Sequence, residues 1–419
     1  MTRGLPIGPF ALAAAITACV GATVGAERSA LPLAAGLGAA AWGGAAFVAA
    51  FGIAKAVANL VAGPSALRLG RRRTLLFGWL IAVPVPFALA FTVGGWPIVA
   101  ANILLGVSQG LRWTTALVMQ VDLAGPRRRG LAAGVNEFAG YAAVGVAAYA
   151  AAIAAGQLDA RRGPALVAAV AIAIGIALSL AARETAHAAA VVPQGQRAAR
   201  PVARAVIHQA GFMNNANDAL AWAFVPVLLV ARGADLAEVG AVAALYPASW
   251  GLTQLGAGPL SDRIGRRRLI VGGMLFQSVA IAGLAAGGAA VPLALVWGIG
   301  TGMVYPSLVA AAADVAPNGD VTRAIAVYRF WRDAGVAGGA LGALILVGRF
   351  GLVTTLLVVA GLTAGSGLLA LLLPARGPGG PVMSESGIVG RAAPERQATL
   401  LSRGYREPHQ NAHHHGRWA

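Results

Sequence analysis

The chain is 419 residues long, 58% hydrophobic and only 11% charged, with a formal net charge of +17. Soluble globular chains carry about 25% charged residues, so most of this one is excluded from facing water. The positive excess sits in short arginine clusters between long apolar runs, which is membrane topology rather than a nucleic-acid footprint. A single cysteine, Cys19, excludes a disulfide framework and a thiol metal site. No cofactor, metal or catalytic residue is expected.

A helix needs about 20 apolar residues to cross a bilayer. Read in chain order, the apolar runs predict twelve spans at 7–31, 40–63, 74–93, 97–120, 130–155, 164–182, 205–231, 238–258, 269–287, 292–313, 324–347 and 351–373. The first follows Arg3 and continues for a full span's length, so it reads as an uncleaved transmembrane helix rather than a signal peptide. Thr74 to Leu111 and Leu269 to Ala313 contain no charged residue. Each is long enough for two spans, with turn signals at Gly94-Gly95-Trp96-Pro97 and at Gly287-Gly288 before Pro292. The expected organisation is an N-terminal six-helix bundle (1–182), a cytoplasmic linker (183–204), a C-terminal six-helix bundle (205–373) and a disordered cytoplasmic tail (374–419). His413-His414-His415 in that tail reads as an incidental polar cluster. The fold class is therefore an all-α membrane protein with twelve transmembrane helices in two pseudo-symmetric six-helix bundles.

With both termini inside, the cytoplasmic parts carry 23 basic residues and the outside four. The positive-inside rule then fixes the expected orientation, in a bacterial cytoplasmic (inner) membrane. The only partners expected are the lipid bilayer, a small-molecule or ion substrate and protons. The chain is expected to be monomeric and to bind no nucleic acid.

One basic signature occurs twice. Residues 63–73 read GPSALRLGRRR and residues 258–268 read GPLSDRIGRRR, an offset of 195 that Pro97 and Pro292 share. Asp122 and Asp314 keep nearly the same offset. Internal repeats of this kind build many transporters, with the site at the interface of the halves. Gly63, Gly70, Gly258 and Gly265 permit the tight backbone, and Arg71, Arg263, Arg266 and Arg267 anchor the loops at the interface. Asp262 is the lone acid in a basic loop, and its N-half counterpart is Leu67.

GPLSDRIGRRR resembles the loop signature of the major facilitator superfamily, Gly-x-x-x-Asp-Arg-x-Gly-Arg-Arg-Arg, and the resemblance extends over residues 5–373. It implies alternating access, in which two bundles rock about a central cavity. It also implies that Asp262 caps a neighbouring helix N-terminus or pairs with arginine to hold the cytoplasmic side shut, whereas Leu67 can do neither. The arginine that drug antiporters of the family carry in the fourth span would fall at Gly106, and their Gly-Pro motif is not visible in 130–155. Segments 25–33, 122–141 and 328–335 are also similar to a prokaryotic branch that includes magnetosome-associated permeases, which does not make iron the substrate.

Charges inside spans are costly and mark function or pairing. Since the family lines its cavity with helices 1, 4, 7 and 10, the candidates there are Glu27, Arg28, Arg112, Asn214, Asn217 and Asp218, with Trp222, Tyr246, Trp250 and Tyr305 as aromatic walls. Lys55, the one lysine of the chain, is a candidate because a desolvated lysine can lose its proton and an arginine essentially cannot. Glu27 and Arg28 have the alternative of pairing with each other near the outer interface. Glu137, Arg329, Arg332 and Asp333 read as inter-domain pairs. Gly106-Val-Ser-Gln-Gly110 imitates a nucleophile motif but lies within a membrane helix, where that motif has no strand–turn–helix elbow. The expected function is secondary active transport of a small solute, proton-coupled, with no enzymatic activity. The alternative is a non-transporting scaffold or sensor on the same fold.

Overall fold

The structure is a computed structural model that describes residues 5–34, 41–91, 95–159, 161–185 and 201–375. Arg3, most of the expected linker and the tail beyond 375 lie outside the described residues, as do the side chains of 28–49, Arg28 among them. Among the described residues there are fourteen α-helices and no strand. The first half comprises α1 (Ile7–Ala34), α2 (Ala41–Arg68), α3 (Arg71–Ala82), α4 (Pro84–Phe91), α5 (Gly95–Ala124), α6 (Arg129–Gln157) and α7 (Arg162–Ala181). The second comprises α8 (Pro201–Ala223), α9 (Val225–Ala231), α10 (Leu236–Ile264), α11 (Arg266–Ala285), α12 (Ala290–Asp314), α13 (Val321–Phe350) and α14 (Leu352–Leu369).

These helices make twelve membrane-crossing elements, because the third and seventh spans are each built from two helices. The breaks fall at Val83, ahead of Pro84 and Pro86, and at Phe224, ahead of Pro226. Proline has no N–H to donate and its ring crowds the carbonyl four residues back. Pro64, Pro247, Pro259 and Pro306 are nevertheless carried inside continuous helices.

The distribution of polarity is that of a lipid-embedded chain. Phe77, Phe87, Leu252, Val279, Ile345 and Leu362 are exposed on the outer surface, while Asn59, Arg112, Glu137, Asn217, Arg329 and Asp333 are buried. An exposed apolar surface of this extent is untenable in water and is satisfied by acyl chains.

The twin signature differs from its expected form in one respect. Residues 258–264 are helical rather than loop, and so are 63–68. The reversal turns on a positive-φ glycine in each copy: Gly70 with φ 89°, preceded by Leu69, and Gly265 with φ 97°, the sole residue between its helices. A side chain at such a φ is strained, so a glycine lets the helices run to within one or two residues of each other. Asp262 and Arg263 therefore project from the last turn of α10 rather than from a mobile loop.

Within the first half α1 packs on α6 and α7, and α2 on α5; within the second α8 packs on α13, and α10 on α12. The halves meet along two related seams, α2 against α13 and α6 against α10. Small residues set the approach. A Cβ added at Gly63 would lie 2.8 Å from that of Ala326, and Gly130 and Gly258 face each other so closely that a Cβ on either would overlap the other's carbonyl oxygen. These contacts occupy the end of the bundle that carries the arginine-rich loops, here called the basic end.

Gly258→Val is expected to lower the melting temperature in detergent by several degrees, since overpacking a tight contact costs about 1–3 kcal/mol. Gly256→Val, where an added Cβ meets nothing within 4 Å, should leave it unchanged.

Candidate substrate and gating site

At the basic end Asp262 bridges the two halves. Its carboxylate accepts hydrogen bonds from the backbone N–H of Gly130 (3.0 Å) and of Leu131 (2.9 Å), in the first turn of α6. The residue preceding that helix, Arg128, makes no side-chain cap, so the other half supplies what the α6 terminus lacks. A carboxylate there satisfies orphan donors and the positive end of the helix dipole. Arg266 holds Asp262 at 2.6 Å and Asp314 at 3.2 Å, and Asp314 in turn takes Arg129 at 2.8 Å. Arg263 is exposed, and Arg267 reaches the carbonyls of Leu371 and Leu373.

The N-half copy is wired differently. Leu67 is 49% exposed and contributes no polar contact. The helix it would have capped, α13, is capped by its own Asp320, which accepts from the N–H of Arg323 at 2.9 Å. Arg71 pairs with Asp122 (3.2 Å) and crosses the seam only to the hydroxyl of Thr322 (2.8 Å). Glu184, from the start of the linker, accepts from the N–H groups of Arg71 (3.0 Å) and Arg72 (3.2 Å), capping α3 within the first half.

Farther from the basic end a charged cluster on α13 reaches both α2 and α6 of the first half. Glu137 on α6 takes Arg329 at 2.8 Å and Arg332 at 3.5 Å, both from α13. Asp333 pairs with Lys55 on α2 at 3.5 Å and accepts from Asn59 at 2.7 Å. Thr114 on α5 fixes the other end of that amide at 2.7 Å. All of these charged groups are buried. In a low-dielectric interior each ion needs its partner, because an uncompensated charge there is very costly. Lys55, expected in the cavity, is thus an ion-pair partner across the α2–α13 seam.

Asp218 on α8 lies beside this cluster. Its two oxygens accept from the hydroxyls of Tyr246 and Tyr305, the latter at 2.6 Å. The Tyr305 hydroxyl is also hydrogen-bonded to Asn215. An aromatic stack continues from it through Trp250 (5.1 Å) to Tyr141 (4.2 Å) and Trp113 (5.2 Å). Arg332 lies 4.2 Å over the Tyr305 ring and donates to the Tyr141 hydroxyl. Trp222, half exposed, only edges on Tyr246 at 6.2 Å.

Other candidates are placed away from this centre. Asn214 and Asn217 are engaged by Gln277 on α11 at 2.8 and 2.9 Å, and Asn217 also by Thr363 on α14, so they brace the second half. Arg112 stacks on Trp79 of α3 at 4.0 Å, inside the first half. Its terminal nitrogens and both Glu27 oxygens are buried with no hydrogen-bond partner among the described residues.

Comparison with known proteins identifies the family and the fold. The sequence profile described as Major Facilitator Superfamily matches residues 10–210 and again residues 207–404. The chain belongs to the major facilitator superfamily. Solved structures agree at the level of fold. The proton:xylose symporter XylE, bound to a bromodeoxyglucose, superposes with a TM-score of 0.69 at 14% identity, over 87% of this chain and 97% of that one. The human organic anion transporter MFSD10 gives 0.70 at 15% identity, over 86% and 98%. The Escherichia coli fucose:proton symporter FucP gives 0.69 at 13%, over 89% and 100%. No curated protein sequence matches the chain. The protein is a multi-pass membrane transporter of the superfamily.

Several residues of this superfamily member escape sequence reasoning. Glu184 reads as linker, and only the fold brings it to α3. Tyr141 lies four residues after Glu137, on the same helical face, a spacing that could have flagged it. Gln277 sits in an otherwise apolar span and is the sort of lone polar group that a bundle interior explains.

Glu137→Gln removes the common partner of Arg329 and Arg332. It is expected to destabilise the protein by about 3–5 kcal/mol, as for any uncompensated buried charge. Thermal unfolding should show part of the loss restored in Glu137→Gln/Arg329→Leu.

Proposed function

We propose that this protein moves a small solute by alternating access, coupled to protons, with its basic end at the cytoplasmic face of a bacterial inner membrane. The observation that carries the coupling is Asp218. It is buried in the bundle interior, and the bonds described on it come from two phenol hydroxyls rather than from a cation. A phenol hydroxyl can donate to a carboxylate or accept from a carboxylic acid. The site therefore holds Asp218 in place with or without its proton, as a carrier requires. Glu27, buried beside the Arg112 charge, is a second candidate carrier within the first half. The bias of basic residues to one side supports the orientation. The XylE and FucP neighbours are proton symporters by name, which supports the coupling.

Gating follows from the two signatures. The α6 terminus depends on Asp262 from the opposite half, whereas α13 caps itself. Opening the basic end exposes two orphan N–H groups on α6 and none on α13. The latch is therefore asymmetric, with the α6–α10 seam the one that Asp262 holds. A non-transporting scaffold requires neither the reversible cap nor the buried carboxyls.

In proteoliposomes, Asp218→Asn should abolish the dependence of solute uptake on an inward proton gradient, tested with D-xylose, L-fucose and simple carboxylates. Unchanged pH-dependent flux would remove Asp218 from the coupling, and a wild type that moves none of these solutes saturably would favour the scaffold. For the latch, Asp262→Asn should lengthen the distance between spin labels at Arg73→Cys and Arg268→Cys in a Cys19→Ser background. Leu67→Asn should not, and equal distributions in all three proteins would refute the asymmetry.

A further inference from the structure

The seam beside Asp218 has an imbalance that the ion pairs do not resolve. Buried nitrogens without a hydrogen-bond acceptor among the described residues include Nε and NH2 of Arg329, Nε and NH1 of Arg332, the indole N–H of Trp250 and the amide of Gln254. Among the described residues the unpartnered acceptors beside these donors are Glu137 Oε2 and Gln254 Oε1. Arg332 is ion-paired to Glu137 and Asp333 at 3.5 and 3.7 Å, too long for hydrogen bonds, so its charge is balanced while its Nε and NH1 donors are not. Buried donors left without acceptors are costly, and their excess at one place in a transporter indicates what the missing ligand supplies.

These groups form one locus. Arg332 lies over the Tyr305 ring and bonds the Tyr141 hydroxyl. Trp250 stacks between those two tyrosines, and Arg329 lies 5.9 Å from the Trp113 ring that ends the stack. Donors in a fork beside a flat aromatic wall match an acceptor-rich, negatively charged group carried on an apolar or planar body.

We propose that the solute is an organic anion, with its carboxylate held by Arg332 and Arg329 and its body against Tyr141, Trp250 and Tyr305. This rests on the transporter reading above and names the substrate class of that site. It also gives the coupling a reason. The cations of the cluster are Lys55, Arg329 and Arg332, and the anions are Glu137, Asp333 and Asp218. A proton on Asp218 leaves the cluster with an uncompensated positive charge, and a bound carboxylate cancels it. Proton and anion each favour binding of the other, as linkage requires.

The test uses the purified full-length chain and the probes 4-hydroxybenzoate, succinate, lactate and gluconate, set against 4-hydroxybenzamide, D-xylose and tetraethylammonium. Binding is read by thermal stabilisation and isothermal titration, and uptake in proteoliposomes. At least one carboxylate should bind and be taken up, more tightly as pH falls toward the protonation of Asp218, while its neutral amide does not. Arg332→Gln should weaken it on the order of tenfold or more, the scale of a lost charge-assisted hydrogen bond. Because Arg332→Gln also disturbs two ion pairs, Trp250→Phe provides the independent check. It leaves a smaller aromatic ring without the indole N–H, touches no ion pair, and should weaken binding severalfold in a protein that still unfolds cooperatively. Carboxylate binding that neither variant affects would overturn the site. Binding and uptake confined to xylose or the ammonium probe would overturn the anion assignment while leaving transport intact. If no probe binds or moves, both readings fail together.

Discussion

The fold turns on the ion cluster that α13 extends across the midline. Arg329, Arg332 and Asp333 come from the second half, and Glu137 and Lys55 from the first. Charges buried in a medium of low dielectric are tolerable only in company. Neither half can keep its charges without the other, so the cluster joins two bundles that also share apolar core, where Leu117, Val121 and Ala132 pack with Leu308, Val309 and Ile325. It does so with contacts that are exchangeable, because each partner could be met by a solute ion, a proton or water when the seam opens. A hydrophobic interface of the same size would hold the halves together more firmly and would not let them rock.

The basic end has the same logic on a smaller scale. The α6 terminus is left without a cap of its own and takes Asp262 from across the seam, while α13 carries its own cap in Asp320. The two seams look alike in backbone and differ in chemistry. Duplication accounts for the likeness: two helix pairs, two glycine hinges, two arginine triplets. The difference lies in which half supplies the acid, and it makes one seam the stronger reporter of conformational state.

Much of this was legible beforehand. Span number, the two halves and the Gly–Arg signature follow from apolar run length, the 195-residue offset and charge bias, and the structure and family agree with them. Asp262, Glu137, Arg329, Arg332 and Asp333 stood out because polar groups in a lipid-bound chain are conspicuous. Their partners did not. Nothing local links Lys55 to Asp333, Glu184 to α3, or Asp218 to Tyr246 and Tyr305, since each pairing spans a large sequence separation. Asn214 and Asn217 resembled cavity residues because they flank Asp218, yet they brace Gln277 and Thr363. Adjacent positions on a helix, such as Asn217 and Asp218, can serve opposite neighbours, and the sequence alone does not say which neighbour is where.

The sequence by itself therefore determined what burial in lipid dictates: which segments are helical and membrane-crossing, where the chain turns, and which residues must find polar partners. That information is carried by periodicity, run length and the cost of a charge in hydrocarbon, all of them local. Only the tertiary structure decided who the partners are, that Leu67's role has passed to Asp320, and that unanswered donors gather at Arg329, Arg332 and Trp250. Those depend on which helix faces meet, and meeting faces are set by the packing of small residues such as Gly130 against Gly258 over distances that no local pattern encodes.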